Sequence, residues 1–434
     1  MRDLALLRWL GWWAGLALWS AVAVARADAV AGRTVARDAG DLAETTTAPA
    51  ETVPTPVEEA IPIDEAQEAA LIREVGEGFA IKRTPHFVVA HNVAQALSDD
   101  LTQRLERTYS AIYRFCGHST IDAHRPSRRL AVLFFNDRSD FDRFAATIGF
   151  PAANTYGVYN EPTNRSAFFN VATDPGMIEL QQGVAAARAN LEQMNQVLRE
   201  IRGRRTVVEV EFADGRRVQF TRSQATAEIA STRHRLARIE QRRENLIQYV
   251  NRSIIQHEIA HQVLHNAGVH VRGARNPKWV VEGLAMMFET QPGAEGAGIA
   301  GVNQMRLQDF REAVAGGVPS AGLGPDHFLQ AVAAGRLVPL ERLLTDSSLF
   351  TGRGEHGTAD YALAWSLMHY LHRTRGEMLA AYLRELGQRQ PGVPVSSADE
   401  LALFERHFGP PDESLTRRWS SFILGLAVRS TSYR

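Results

Sequence analysis

The stretch Ile255-Gln-His-Glu-Ile-Ala-His-Gln-Val-Leu-His265 constrains the fold more than any other part of the chain. On a helix, residues four apart share a face one turn apart, so His257 and His261 project side by side. Ile254, Ile255, Ile259, Val263 and Leu264 give that helix an apolar surface, so the rest of the chain has to wrap it. The material is there: 434 residues, 45% of them hydrophobic, suffice for one large or two moderate domains. Disulfides do not help, because Cys116 is the single cysteine. Cys116 lies in a helical apolar pattern with Ile112, Tyr113 and Phe115 and reads as a buried core thiol. A net charge of −1 excludes the chain-wide positive field of a nucleic-acid binder. Lysine occurs only at Lys82 and Lys278, and arginine carries the remaining basic charge.

The ends and the order of elements follow from pattern. Arg2 and Arg8 precede an apolar run from Trp9 to Ala25, closed by Ala25-Arg26-Ala27. This predicts a signal peptide over 1–27 and an exported, periplasmic or secreted protein; an uncleaved N-terminal anchor is the alternative. No other run is apolar enough to span a membrane. Residues 28–65, rich in Ala, Thr, Pro and Glu, predict a disordered linker. Over 66–175 the spacing predicts an α+β unit: a strand from His86, a helix over 94–115, a buried strand over 130–135, and a helix over 139–148 capped by Ser139. A hairpin follows around Glu161-Pro-Thr-Asn, with Ser166–Val171 as its return strand. Residues 176–245 predict an inserted helical hairpin whose tip is a β-hairpin turning at Asp214-Gly215. Its arginines (Arg202, Arg204, Arg205, Arg216, Arg217) fit a solvated charged face or an acidic protein partner. Residues 246–300 form the histidine helix and its successor, and 301–434 a mainly helical subdomain.

The histidine pair has a chemical reading. Two imidazoles one turn apart bind one Zn²⁺, and Glu258, beside the first, is placed as base for a water at the open position. A catalytic zinc takes three protein ligands. Neither Leu264 nor Ala267 supplies the Gly and His of the longer histidine motif, and His265 lies too far along the helix. Lys278-Trp-Val-Val-Glu282-Gly-Leu-Ala reads as a second helix, and Glu282 can reach back to complete a His₂Glu set.

The block from His257 to Gly268, with Arg272, Pro277, Trp279 and Glu282-Gly-Leu-Ala, resembles the gluzincin zinc peptidases. It is most similar to a bacterial domain-of-unknown-function family of peptidase MA-like proteins showing H-E-x-x-H-Q and W-x-x-E-G-x-A. The resemblance is dense over about 253–290, looser elsewhere, and leaves the 176–245 arm unexplained. It implies an α+β fold with a small mixed sheet, the H-E-x-x-H helix and a helical C-terminal part. It implies one zinc per chain on His257, His261 and Glu282, peptide or protein substrates, and Glu258 as base and proton shuttle. An oxyanion donor from a later helix is expected, with Tyr361 the candidate and His369 and Tyr370 as alternatives. The acidic residue usual four positions after the ligand Glu is Met286 here; Glu289 is the substitute. The resemblance also implies an extended substrate along the edge of the sheet, for which Ser166–Val171 is the expected strand. A non-catalytic binding protein on this scaffold, or a zinc amidase of cell-wall material, also fits these residues.

Overall fold

The computed structural model describes residues 60–150, 155–200, 207–211, 217–289, 301–317, 322–351 and 357–428. The expected signal peptide, nearly all of the linker, and Arg202, Arg204, Arg205 and Arg216 lie outside them. The fold is α+β, with a five-stranded mixed sheet and fourteen α-helices among the described residues.

Helix α1 (Glu65–Val75) leads into β1 (Ala80–Arg83) and β2 (Phe87–His91). Helix α2 (Gln95–His118) crosses over to β3 (Leu130–Phe135), which lies parallel to β2. Helix α3 (Arg138–Thr147) precedes the antiparallel pair β4 (Gly157–Asn160) and β5 (Arg165–Phe169). The strand order is β1-β2-β3-β5-β4, with β2, β3 and β5 parallel. Alternate side chains of a strand face opposite ways. Thus Phe87, Val89, Leu130, Val132, Phe134 and Phe168 pack on one face with α2, while Val88, Ala90, Ala131, Leu133, Phe135 and Phe169 meet α1 and α3 on the other. Cys116 is in the first of these layers, where burial pushes its thiol up to about 12.

Two expectations need correction here. The return strand is not at the edge: β5 lies between β3 and β4, and β4 is the outer strand. The reason is burial. Ser166 to Phe169 are all buried, as an interior strand covered on both faces requires, whereas Tyr159 and Asn160 of β4 are only half-buried. Val171 belongs to a short 3₁₀ turn (Val171–Thr173). Nor does Ser139 cap α3; Asp137 is the cap residue, and the Arg138 amide donates to Thr173 Oγ1 at 3.0 Å. A contact from beyond β5 sets the start of this helix.

The arm has two helices and a strand pair; the turn expected at Asp214-Gly215 lies outside the described residues. Helices α4 (Pro175–Glu200) and α5 (Arg222–Tyr249) pack on each other, joined through the antiparallel strands β6 (Val208–Glu211) and β7 (Arg217–Phe220). Met194, Val197, Val210, Phe220, Ala225 and Ile229 form a small core of its own. Thr221 and Gln224 close a reciprocal capping box at the start of α5. A π-helical turn, Val250–Ile254, joins α5 to α6 (Ile255–Asn266), so the arm runs directly into the histidine helix. Such turns are frequent at functional sites.

Helix α7 (Lys278–Met287) follows, then α8 (Gln304–Ala315), α9 (Pro325–Ala333), α10 (Leu340–Thr345), α11 (Thr358–Thr374), α12 (Gly376–Leu386), α13 (Ser397–Phe408) and α14 (Glu413–Leu424). They surround the fully buried Trp279, Trp365 and Trp419, and their core is continuous with the α2 face of the sheet. No described helix is long and apolar enough to cross a membrane.

Gly283 lets α7 and α11 approach closely. A Cβ there would stand 2.9 Å from the Ala364 carbonyl oxygen and 3.0 Å from Met368 Cβ. Gly283→Ala is therefore expected to destabilise the chain by about 1–3 kcal/mol despite the better helix propensity of alanine. Urea unfolding of the two proteins checks this; an unchanged or raised midpoint would show that the two helices separate freely.

Candidate metal centre

Helix α6 buries Ile255, Ile259, Ala260, Val263 and Leu264 in the main core, which turns His257 and His261 toward α7. Gln262 fastens the helix to the sheet. Its Nε2 donates to the Ala131 carbonyl at 2.9 Å and the Asn164 carbonyl at 3.1 Å, and its Oε1 accepts from Ser166 Oγ at 3.1 Å. Gln262 is fully buried, so all its polar atoms need such partners.

Helix α7 starts after Pro277 and is anchored by Trp279, which packs against Tyr382 and Phe404. It brings Glu282 to the histidines. Glu282 Oε2 lies 3.2 Å from His257 Nε2 and 3.6 Å from His261 Nε2, and the two imidazole nitrogens are 3.0 Å apart. His257, His261 and Glu282 form a group able to hold a metal ion. Tetrahedral ligands about 2.0–2.1 Å from a zinc stand roughly 3.3 Å from one another, and the three separations bracket that value. Two lone pairs facing each other at 3.0 Å also gain little unless a cation or proton lies between them. The donor set and its spacing thus fit zinc.

The carboxylates of this site are polarised in opposite ways. Burial alone would raise Glu282, but His261 and His257 outweigh it and hold its carboxyl well below the usual range. Burial pushes the Glu258 carboxyl up, against the opposing pull of both histidines and of the Tyr159 amide. That amide, on edge strand β4, donates to Glu258 Oε2 at 2.7 Å. A buried carboxylate with a raised proton affinity, next in the chain to His257, is suited to accept a proton.

Behind the donors stands a further layer. His257 Nδ1–H donates to Glu289 Oε1 at 3.0 Å, which leaves Nε2 as the ligand atom. Glu289 is fixed in turn by Asn303 Nδ2 at 2.9 Å and by a two-pronged contact from Arg306, Nε to Oε2 at 3.0 Å and Nη2 to Oε1 at 2.9 Å. Burial would raise the Glu289 carboxyl, but Arg306 and His257 hold it down at about 2. Met286 is wholly buried in the core, so Glu289 takes the orienting role. Glu289 is visible in the sequence as the acidic substitute for Met286, and Gln262 as the last residue of the H-E-x-x-H-Q motif, without its role; no role for Asn303 or Arg306 is legible there. Asn303 carries a local signal, since its side chain caps α8. His261 Nδ1 is buried with no hydrogen-bond partner among the described residues. Glu289→Ala is expected to weaken metal binding by about 10–100-fold, read by competition with a chelator of known affinity. An unchanged affinity would mean that packing alone orients His257.

Tyr361 lies on the same side as the site: burial, then Glu282 and Glu258, push its phenol up. Its hydroxyl, however, donates to the Phe350 carbonyl at 3.1 Å, and its ring packs edge-on against Phe350. His369 stacks on Trp365 and Tyr370 packs on Phe422, which puts both in the helical core. His265 is buried against Tyr159 and His270, and burial drives its imidazole to the neutral form.

The chain is thus an α+β protein with a buried His₂Glu group of metal-binding geometry. A family model described as a protein of unknown function (DUF1570) matches residues 251–392, from the π-helical turn to just past α12. The match takes in all four residues of the centre and Tyr361. No curated protein matches the chain.

Proposed function

We propose that the chain is an exported zinc-dependent peptidase of gluzincin type. The observation that carries this reading is Glu258, buried next to the ligand His257 and hydrogen-bonded to the edge strand of the sheet. A structural metal site has no use for a base there. Zinc would be held by His257, His261 and Glu282, where it supplies Lewis-acid polarisation of a carbonyl and acidification of a water. Glu258 takes the proton of the attacking water and returns it to the leaving amine. Glu289, braced by Asn303 and Arg306, keeps His257 in the tautomer that offers Nε2. The outer side of β4 carries backbone groups to which an extended peptide can add as a further strand. The test is zinc content of the purified chain by mass spectrometry beside hydrolysis of a peptide library. One zinc per chain with chelator-sensitive cleavage is the expected result. Absence of zinc after reconstitution would sink the proposal.

A further inference from the structure

We propose that an arginine-lined cleft beside the metal centre is an exosite for acidic segments of the polypeptide substrate; this rests on the peptidase reading above. The cleft has a volume of about 1270 Å³ and lies between α1, the loop leading to β3, the β4–β5 turn, the C-terminal end of α6 and α12. Arg125, Arg128, Arg129, Arg165, Arg272 and Arg384 line it. Asp64 and Asp122 are the lining carboxylates among the described residues. Six positive charges against two leave a formal surplus of four, or two once Glu74, the partner of Arg165 at 2.5 Å, and Glu161, bonded to the Gly273 amide beside Arg272, are counted. Asp64 pairs with Arg128 at 3.3 Å and Asp122 with Arg384 at 2.7 Å. In a chain of net charge −1 this surplus is a local accumulation. Arginine supplies all six of these charges; of the wall histidines His124, His265 and His270, burial first and then neighbouring cations push His265 well down, and burial first takes His270 to about 3.

The cleft adjoins the centre through named contacts. His265, in its wall, is one turn beyond His261 on α6, about 6 Å along the axis. Tyr159 joins the two places: its amide donates to Glu258, its ring packs 5.5 Å from His265, and its hydroxyl donates to Asn164 Oδ1 at 3.1 Å. Asn164 and Asn266, both in the wall, bond to each other at 2.9 and 2.7 Å. Asn164 holds the turn in the left-handed region at φ 56°, which asparagine tolerates better than most residues. The turn that follows the strand touching the base therefore lies in the wall of the cleft, through Thr163, Asn164 and Arg165. An extended peptide advances about 3.3 Å per residue, so side chains about two to four positions from the scissile bond reach the arginines. Guanidinium groups take carboxylates through paired N–H donors, which selects Asp and Glu at those positions.

The test uses the full chain and two fluorescein-labelled peptides of equal length, one with a block of four glutamates and one with four glutamines. Binding is read by anisotropy on the Glu258→Gln protein, which keeps the peptides intact. The expected result is at least about tenfold tighter binding of the acidic peptide at low salt, shrinking as salt screens the charges. In Arg128→Glu/Arg272→Glu, reversed at two exposed positions, the preference should disappear while the thermal midpoint stays. The ratio of kcat/KM for the two peptides on otherwise wild-type protein should likewise fall to about one. Equal affinity for both peptides, a preference that survives charge reversal, or binding of inorganic phosphate or a sulfated polysaccharide with no preference for the acidic peptide would each overturn the exosite. Because binding is read without turnover, acidic preference with no hydrolysis would remove the peptidase reading and keep the cleft's specificity. Hydrolysis without acidic preference would remove the exosite alone.

Discussion

The Glu258→Gln protein is expected to hold metal as the wild type does and to hydrolyse peptides about 10²–10⁴-fold more slowly. The substitution keeps the shape of the side chain and an oxygen to accept the Tyr159 amide, so β4 stays docked on α6. It removes the carboxylate at the centre whose raised proton affinity suits it to take a proton from water and return it. The loss corresponds to about 3–5 kcal/mol of transition-state stabilisation and should fall on kcat, because the amide oxygen still binds but cannot turn over a proton. Removing a carboxylate whose ionised form burial disfavours is not expected to lower the thermal midpoint. The measurement is steady-state kinetics with metal analysis on the same samples. Full zinc with undiminished hydrolysis would show that another group is the base.

His261→Ala is expected to abolish metal binding and hydrolysis together. Its Nε2 is one of three donors, 3.0 Å from His257 Nε2 and 3.6 Å from Glu282 Oε2, and among the described residues no other imidazole joins the group. His265, the next histidine on the helix, is turned into contact with Tyr159 and His270. Thermal unfolding gives a readout independent of activity. A ligand that binds only the folded chain stabilises it by RT ln(1 + [L]/Kd), about 2.7 kcal/mol at a hundredfold excess over Kd. Zinc should therefore raise the midpoint of the wild-type and Glu258→Gln proteins and leave that of His261→Ala where it is. A zinc-dependent shift in His261→Ala would place the metal elsewhere.

The sheet and the centre differ in how far they could be read from residues alone. β2 and β3 announce themselves as continuous apolar runs, because parallel interior strands are covered on both faces. The hairpin β4–β5 is equally visible, yet which of its strands lies outside depends on β3, a partner more than twenty residues earlier in the chain. That is why the edge expected at Ser166–Val171 is in fact at Gly157–Asn160. Helix α3 shows the same thing at smaller scale, since its first turn is held by Thr173 rather than by its own Ser139.

Within the chain itself, helical periodicity determined the pairing of His257 with His261 and the place of Glu258, because a 3.6-residue repeat is a local property of the backbone. The same periodicity marked a second helix carrying Glu282, but the packing of α7 through Trp279 brings that carboxylate to the histidines. Tertiary structure alone decided that Asn303 and Arg306, fourteen and seventeen residues beyond Glu289, close on it behind His257. It decided that the Tyr361 hydroxyl is taken by Phe350, and that β4 offers its amide to Glu258. Buried polar groups must find partners wherever the packed chain supplies them, and no local repeat records which ones those are.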